Sequence, residues 1–94
     1  MAYVLIEHTI GKWAEFESIF KSDAARRKAL GCLGGMVYRS TDDPTNLFVV
    51  LEWKDEEGAK KFVHGLETHE AMEWATSGIS SRVRMAESVF ETEA

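Results

Sequence analysis

From Ala2 to Ile10 the chain alternates, with Val4, Ile6, His8 and Ile10 on one parity and Tyr3, Leu5, Glu7 and Thr9 on the other. This period of two predicts a strand whose two faces are both largely apolar. From Lys12 to Leu30 the period lengthens. Trp13, Phe16, Phe20 and Ala24 recur at helical spacing, and Gly31 stands where a helix C-cap glycine belongs, so one helix is expected over the whole stretch. Strand character returns from Leu33 to Ser40, and the internal pair Gly34-Gly35 signals a bulge or a close backbone approach. Turn-forming residues from Thr41 to Asn46, around the only proline, then lead into LFVVLEW, Leu47 to Trp53, which completes an antiparallel hairpin.

A second helix is expected to start after Asp55, a suitable N-cap, with Glu56 and Glu57 favourably placed against the helix dipole. Its apolar stripe is Ala59, Phe62, Val63 and Leu66, which turns His64 toward solvent. Beyond Glu67 the stripe changes phase and Thr68 suits a new N-cap, predicting a kink between two helices. The last strand is expected from Arg82 to Phe90, with Val83, Met85 and Val89 on one face.

Strand, helix, strand, strand, helix, strand is the order of an α+β, ferredoxin-like βαββαβ fold. That fold is a four-stranded antiparallel sheet carrying its helices on one face. The other sheet face would then expose apolar side chains, and a second copy of the sheet is the simplest cover. At 94 residues the chain is expected to be a single domain, 1–94, with a modest core that gains from pairing. We therefore expect a homodimer through the sheet face.

Composition narrows the partners. The net charge is -5 and no basic run exceeds Arg26-Arg27-Lys28, which argues against nucleic acid. Cys32 is the sole cysteine, so no intrachain disulfide can form, and a cytoplasmic location is expected. The apolar run AYVLI is too short for a signal or a membrane span, and no membrane association is expected.

The densest cluster of reactive residue types is HGLETHEAMEW, His64 to Trp74. His64 and His69 are five apart, whereas a helical zinc pair needs a spacing of four to share one face, so no metal site is expected there. His8 is the stronger catalytic candidate. It lies on the Val4, Ile6, His8, Ile10 parity, and with an ordinary pKa near 6.5 it could take a proton from a phenolic or enolic substrate. The structural alternative is a histidine hydrogen-bonded at a strand end. Trp53, Trp74, Phe62 and Tyr38, together with Trp13, are candidate walls of an aromatic pocket, although aromatics at such spacings also build cores. Arg27 is expected to pair with Asp23 at the rim of the helix-sheet interface. Arg39, Arg82 and Arg84 are expected as solvated charges or anion contacts, and Glu7, Glu52 and Glu87 as residues facing the inter-sheet space.

With these elements in place, the chain resembles the dimeric α+β barrel superfamily, close to the antibiotic biosynthesis monooxygenase group. The resemblance is carried by EHTI, AARRKALGCLGG, RSTDDPTNLFVVLEW and HGLETHEAMEWATSG, which mark fold and subfamily more than chemistry. It implies a homodimer whose sheets face each other, with a separate pocket in each subunit between sheet and helices. It also implies a cofactor-independent monooxygenase acting on a small aromatic, phenolic or quinol substrate. The alternative is a non-catalytic dimeric ligand-binding or structural module. Haem-degrading relatives resemble a pattern with asparagine near the end of the first strand. Here Glu7, His8 and Thr9 stand in that place and the only asparagine is Asn46, which disfavours haem degradation.

Overall fold

A computed structural model describes residues 2–65 and 80–94. The elements are β1 (Ala2–Thr9), α1 (Trp13–Ser22), α2 (Ala24–Ala29), β2 (Cys32–Arg39), β3 (Asn46–Trp53), α3 (Glu56–Gly65) and β4 (Ser80–Glu87). The strands form one antiparallel sheet in the order β2-β3-β1-β4. This is the expected ferredoxin-like α+β arrangement.

Two elements depart from the sequence expectation by more than one residue. The helix expected from Lys12 to Leu30 is broken at Asp23, which leaves helical geometry at φ -89° and ψ 0° and serves as the C-cap of α1 and the N-cap of α2. The apolar stripe runs in phase across this break, so periodicity could not reveal it. The last strand starts earlier than expected and ends at Glu87, leaving Val89 and Phe90 exposed beyond the sheet. The predicted kink at Glu67 and Thr68, with Leu66, His69 and Trp74, lies outside the described residues.

Local chemistry accounts for the other boundaries. Gly31, with φ +103°, follows the C-cap residue Leu30 of α2, in a conformation that costs glycine little. The glycine pair does both things expected of it. Gly34, at φ +133°, sits at the register shift of β2 against β3, and a Cβ on Gly35 would collide with the Val50 carbonyl oxygen. In the hairpin turn, Asp43 accepts hydrogen bonds from the Thr45 amide and hydroxyl. Asp55 caps α3 by accepting the Gly58 amide at 2.8 Å. Gly58 also lets α3 settle onto the end of α2, where any Cβ would meet the Leu30 carbonyl oxygen.

The helices cover one face of the sheet. Val4, Ile6, Val49, Leu51 and Trp53 pack there with Phe16, Ala59 and Phe62 to form the core. The opposite face carries Leu5, Met36, Tyr38 and Phe48, all exposed. No helix among the described residues is long and apolar enough to cross a membrane.

Candidate functional site

β1 parity places His8 on the helix side, opposite Leu47 of β3 and Ser81 of β4. It is fully buried, with its ring centre 5.2 Å from that of Phe16 on α1. Burial disfavours the charged form and lowers its pKa to about 4, so the expectation of an ordinary value near 6.5 is corrected. At neutral pH the imidazole is uncharged, with one ring nitrogen a donor and the other an acceptor.

Phe16 is the middle of an aromatic row. Trp13 lies 5.9 Å from it on one side and Phe20 stacks 5.5 Å from it on the other. At the Trp13 end, the Arg39 guanidinium lies 5.2 Å from the indole. At the Phe20 end, the Arg27 guanidinium lies 3.9 Å from the ring centre and donates from Nη1 to the Phe20 carbonyl oxygen at 2.7 Å. The expected Arg27–Asp23 pair is looser, at 4.0 Å, because Arg26 takes the Asp23 carboxylate with two hydrogen bonds of 2.9 and 3.3 Å.

The aromatic residues expected to line one pocket with His8 do not converge on it. Trp53 and Phe62 pack together, with ring centres 5.0 Å apart and both buried. Trp53, however, pairs with Ala2 at one end of β1, whereas His8 pairs with Leu47 at the other. Six residues of strand separate Trp53 from Leu47, which is about 20 Å at the usual rise. The buried Trp53 indole nitrogen finds no hydrogen-bond partner among the described residues. Tyr38 pairs with Phe48 and stands on the opposite face of the sheet. Register and parity thus place Trp53 at the far end of the covered face and Tyr38 on the other face from His8, and Trp74 lies outside the described residues.

Among the acids, Glu7 lies on the open face opposite Arg82 and accepts a hydrogen bond from Asn46 at 3.3 Å. Glu52 shares that face, but Glu87 pairs with Ala2 and so belongs to the helix-side parity, contrary to expectation. His64 is exposed on α3, and no group of three metal-ligating side chains occurs among the described residues. The residue that sequence reasoning passed over is Phe16, the direct neighbour of His8. Its signal was available in the helical spacing with Trp13 and Phe20.

A ferredoxin-like subunit with a buried histidine and an aromatic row between helix and sheet defines a class, and sequence comparison assigns the family. The antibiotic biosynthesis monooxygenase family model matches residues 1–74, and the chain belongs to that family. No curated protein matches it in sequence. Among solved structures, a single-site variant of SnoaB from Streptomyces nogalater, described as a cofactor-independent oxygenase, is similar at a TM-score of 0.72. That match has 20% identity and covers 99% of this chain and 97% of SnoaB. A dimeric ferredoxin-like protein from an uncultured marine organism is similar at 0.65, with 13% identity over 99% of this chain and 98% of its own. Rv0793 from Mycobacterium tuberculosis is also similar at 0.65, with 14% identity over 99% and 100%. At such identities these structures establish the fold.

Proposed function

We propose that this protein is a cofactor-independent monooxygenase-like enzyme acting on a small phenolic or quinol substrate on the helix side of the sheet. In this reading it is a single-domain cytoplasmic homodimer, paired through the open sheet face. Family membership supports the reading, as does the likeness to SnoaB, an oxygenase of the cofactor-independent kind. The observation that carries it is His8, buried and neutral beside the Trp13–Phe16–Phe20 row.

In this role His8 accepts the substrate proton, leaving an electron-rich anion that passes an electron to molecular oxygen. For a substrate CH2 group, one oxygen atom enters as the carbonyl and the other leaves as water, with the two hydrogens accounted for. The lowered pKa restricts the substrate. A phenol near 10 and an imidazolium near 4 stand about 6 units apart, a transfer uphill by about 8 kcal/mol in isolation. A proton acceptor this weak requires an acidified enol or quinol, or an ion pair that forms as the proton moves. Trp53 and Phe62 serve as packing at the far end of the interface, and Tyr38 serves the dimer face.

The same low pKa favours the second reading, a dimeric binding module without catalysis. Oxygen uptake with an anthrone and a naphthoquinol, corrected for spontaneous oxidation, separates the two. The enzyme reading expects uptake above the uncatalysed rate and a loss of at least tenfold in His8→Gln with the fold retained. Uptake equal to autoxidation for both substrates overturns the enzyme reading. Uptake unchanged by His8→Ala removes the role of His8 alone.

A further inference from the structure

We infer that residues 88–94 of a second copy of this chain dock in a groove on the open sheet face, with Val89 and Phe90 on its apolar half and Glu91 and Glu93 on Arg82 and Arg84. The groove measures about 380 Å³ and is built from two cross-strand rows. Val50, Leu5 and Arg84 stand side by side in one row, and Phe48, Glu7 and Arg82 in the next. Its β3 side is therefore apolar and its β4 side doubly basic. Among the described residues no ion pair engages either arginine. Arg84 spends one donor, Nη1, on the neighbouring Val83 carbonyl oxygen at 3.0 Å, which leaves the rest of its fork for a carboxylate. Glu7, the acid between Phe48 and Arg82, accepts from Asn46.

Residues 88–94, which follow β4, read SVFETEA and carry the complementary pattern. Val89 and Phe90 are 83% and 81% exposed, more than any other large hydrophobic residue described. Glu91 and Glu93 are two residues apart, the spacing of Arg82 and Arg84 on β4, so one extended segment laid along that strand meets both guanidiniums at once. The segment reaches the groove of its own subunit only by reversing. Glu87 pairs with Ala2 at the end of the sheet, while the groove lies three to five residues back, at Leu5 and Glu7. From Ser88 to Phe90 there is no glycine, proline, asparagine or aspartate to make a tight reversal. A second sheet packed on this face stands about 10 Å away, and seven extended residues span about 23 Å. The groove of the second copy is therefore within reach.

This inference rests on the proposed pairing through the open sheet face and is independent of the chemistry assigned to His8. Two charge-reversed chains test it. One carries Arg82→Glu and Arg84→Glu, the other Glu91→Arg and Glu93→Arg. Each alone sets like charges in contact and should dimerise about tenfold or more weakly than the parent, a difference of about 1.4 kcal/mol. Mixed, they should form a heterodimer about tenfold or more tighter than either homodimer, because each groove then meets a segment of opposite charge. Analytical ultracentrifugation at about 0.15 M salt, where charges not in contact are largely screened, measures all three. Removing residues 88–94 from the parent should weaken its dimer about a hundredfold, and this arm of the test stands even if a charge-reversed chain fails to fold. A mixture no tighter than the homodimers, or a dimer unaffected by the removal, would overturn the docking and keep the face-to-face pairing. A parent that is monomeric at micromolar concentration would overturn both.

Discussion

The two faces of the sheet are built from similar residues and meet opposite fates. Val49 is 1% exposed and Ile6 is 2%, while their chain neighbours Phe48 and Leu5 are 42% and 39% exposed. β-Propensity cannot account for the difference, because adjacent residues on one strand share it. What separates the faces is the helix layer: α1 and α3 deliver Phe16, Ala59 and Phe62 to one side and nothing to the other. The open side also mixes its apolar groups with Glu7, Arg82 and Arg84, which keep it wettable until something covers it.

The largest expected contrast comes from truncating a ring on each face. Trp53→Ala removes a fully buried indole from contact with Phe62 and should cost about 3–5 kcal/mol, a large share of the stability of a domain this size. Tyr38→Ala, on the open face, should cost the isolated subunit less than about 1 kcal/mol. Urea denaturation of both variants at a concentration low enough to separate subunits checks this. Equal losses would show that the faces are not energetically distinct.

Among the described residues His8 is the ionisable ring buried on the covered face, and pH should expose it. Its folded pKa of about 4 lies below the unfolded value of 6.5, so between these values the unfolded chain binds the extra proton. This contribution to stability is complete above pH 6.5 and is lost as pH falls toward 4, by about 3 kcal/mol in all. Glu17 and Asp43 are held below their ordinary values by Lys21 and Thr45 respectively, but both are fully exposed carboxylates whose interactions are screened by solvent. His8→Leu should flatten the stability profile between pH 6.5 and 4, measured by chemical denaturation across that range. A profile as steep as the parent's would remove the buried-histidine account.

Element order was readable because the period changes from two to helical and back, and because Gly31 and Asp55 mark helix ends by chemistry that does not depend on tertiary context. Parity likewise put His8 on the Val4 and Ile6 face, though only the helices showed which face was covered. The break at Asp23 left no trace, since Phe16, Phe20 and Ala24 stay in phase across it. The separation of His8 from Trp53 was hidden for a different reason. β1 and β3 are neighbours in space but are not joined by a turn, so no local rule sets their register. Tyr38 was within reach of sequence reasoning, because the β2–β3 hairpin pairs it with Phe48, one parity away from Trp53. Burial is a tertiary property, and so the pKa of His8 could not be read at all.

The open face should answer to charge instead of cavity. Phe48→Asp places a carboxylate among Leu5, Tyr38 and Val50, where a second sheet would have to bury it. Light scattering should show a dimer for the parent and a monomer for the variant, with secondary structure retained by circular dichroism. The apparent stability should fall by about 2.7 kcal/mol where the parent is assayed at a hundredfold above its dimer dissociation constant. A parent that is monomeric at micromolar concentration would remove the second copy as the cover, and a dimeric variant would place the interface elsewhere.

The smallest effect concerns how the covering layer is held. Asp55 accepts the Gly58 amide, and that first turn of α3 is what seats Gly58 against Leu30 and brings Ala59 and Phe62 over the sheet. Asp55→Ala should cost about 1 kcal/mol, the usual loss of an N-cap, and should leave the open face untouched. Hydrogen exchange at the Gly58 amide should quicken about fivefold, the population equivalent of that energy, while the amides of the hairpin turn stay as they were. If exchange quickened equally in the turn, the cap would be acting on global stability. If Gly58 did not respond, the seat of α3 on α2 would be held by the close glycine contact alone.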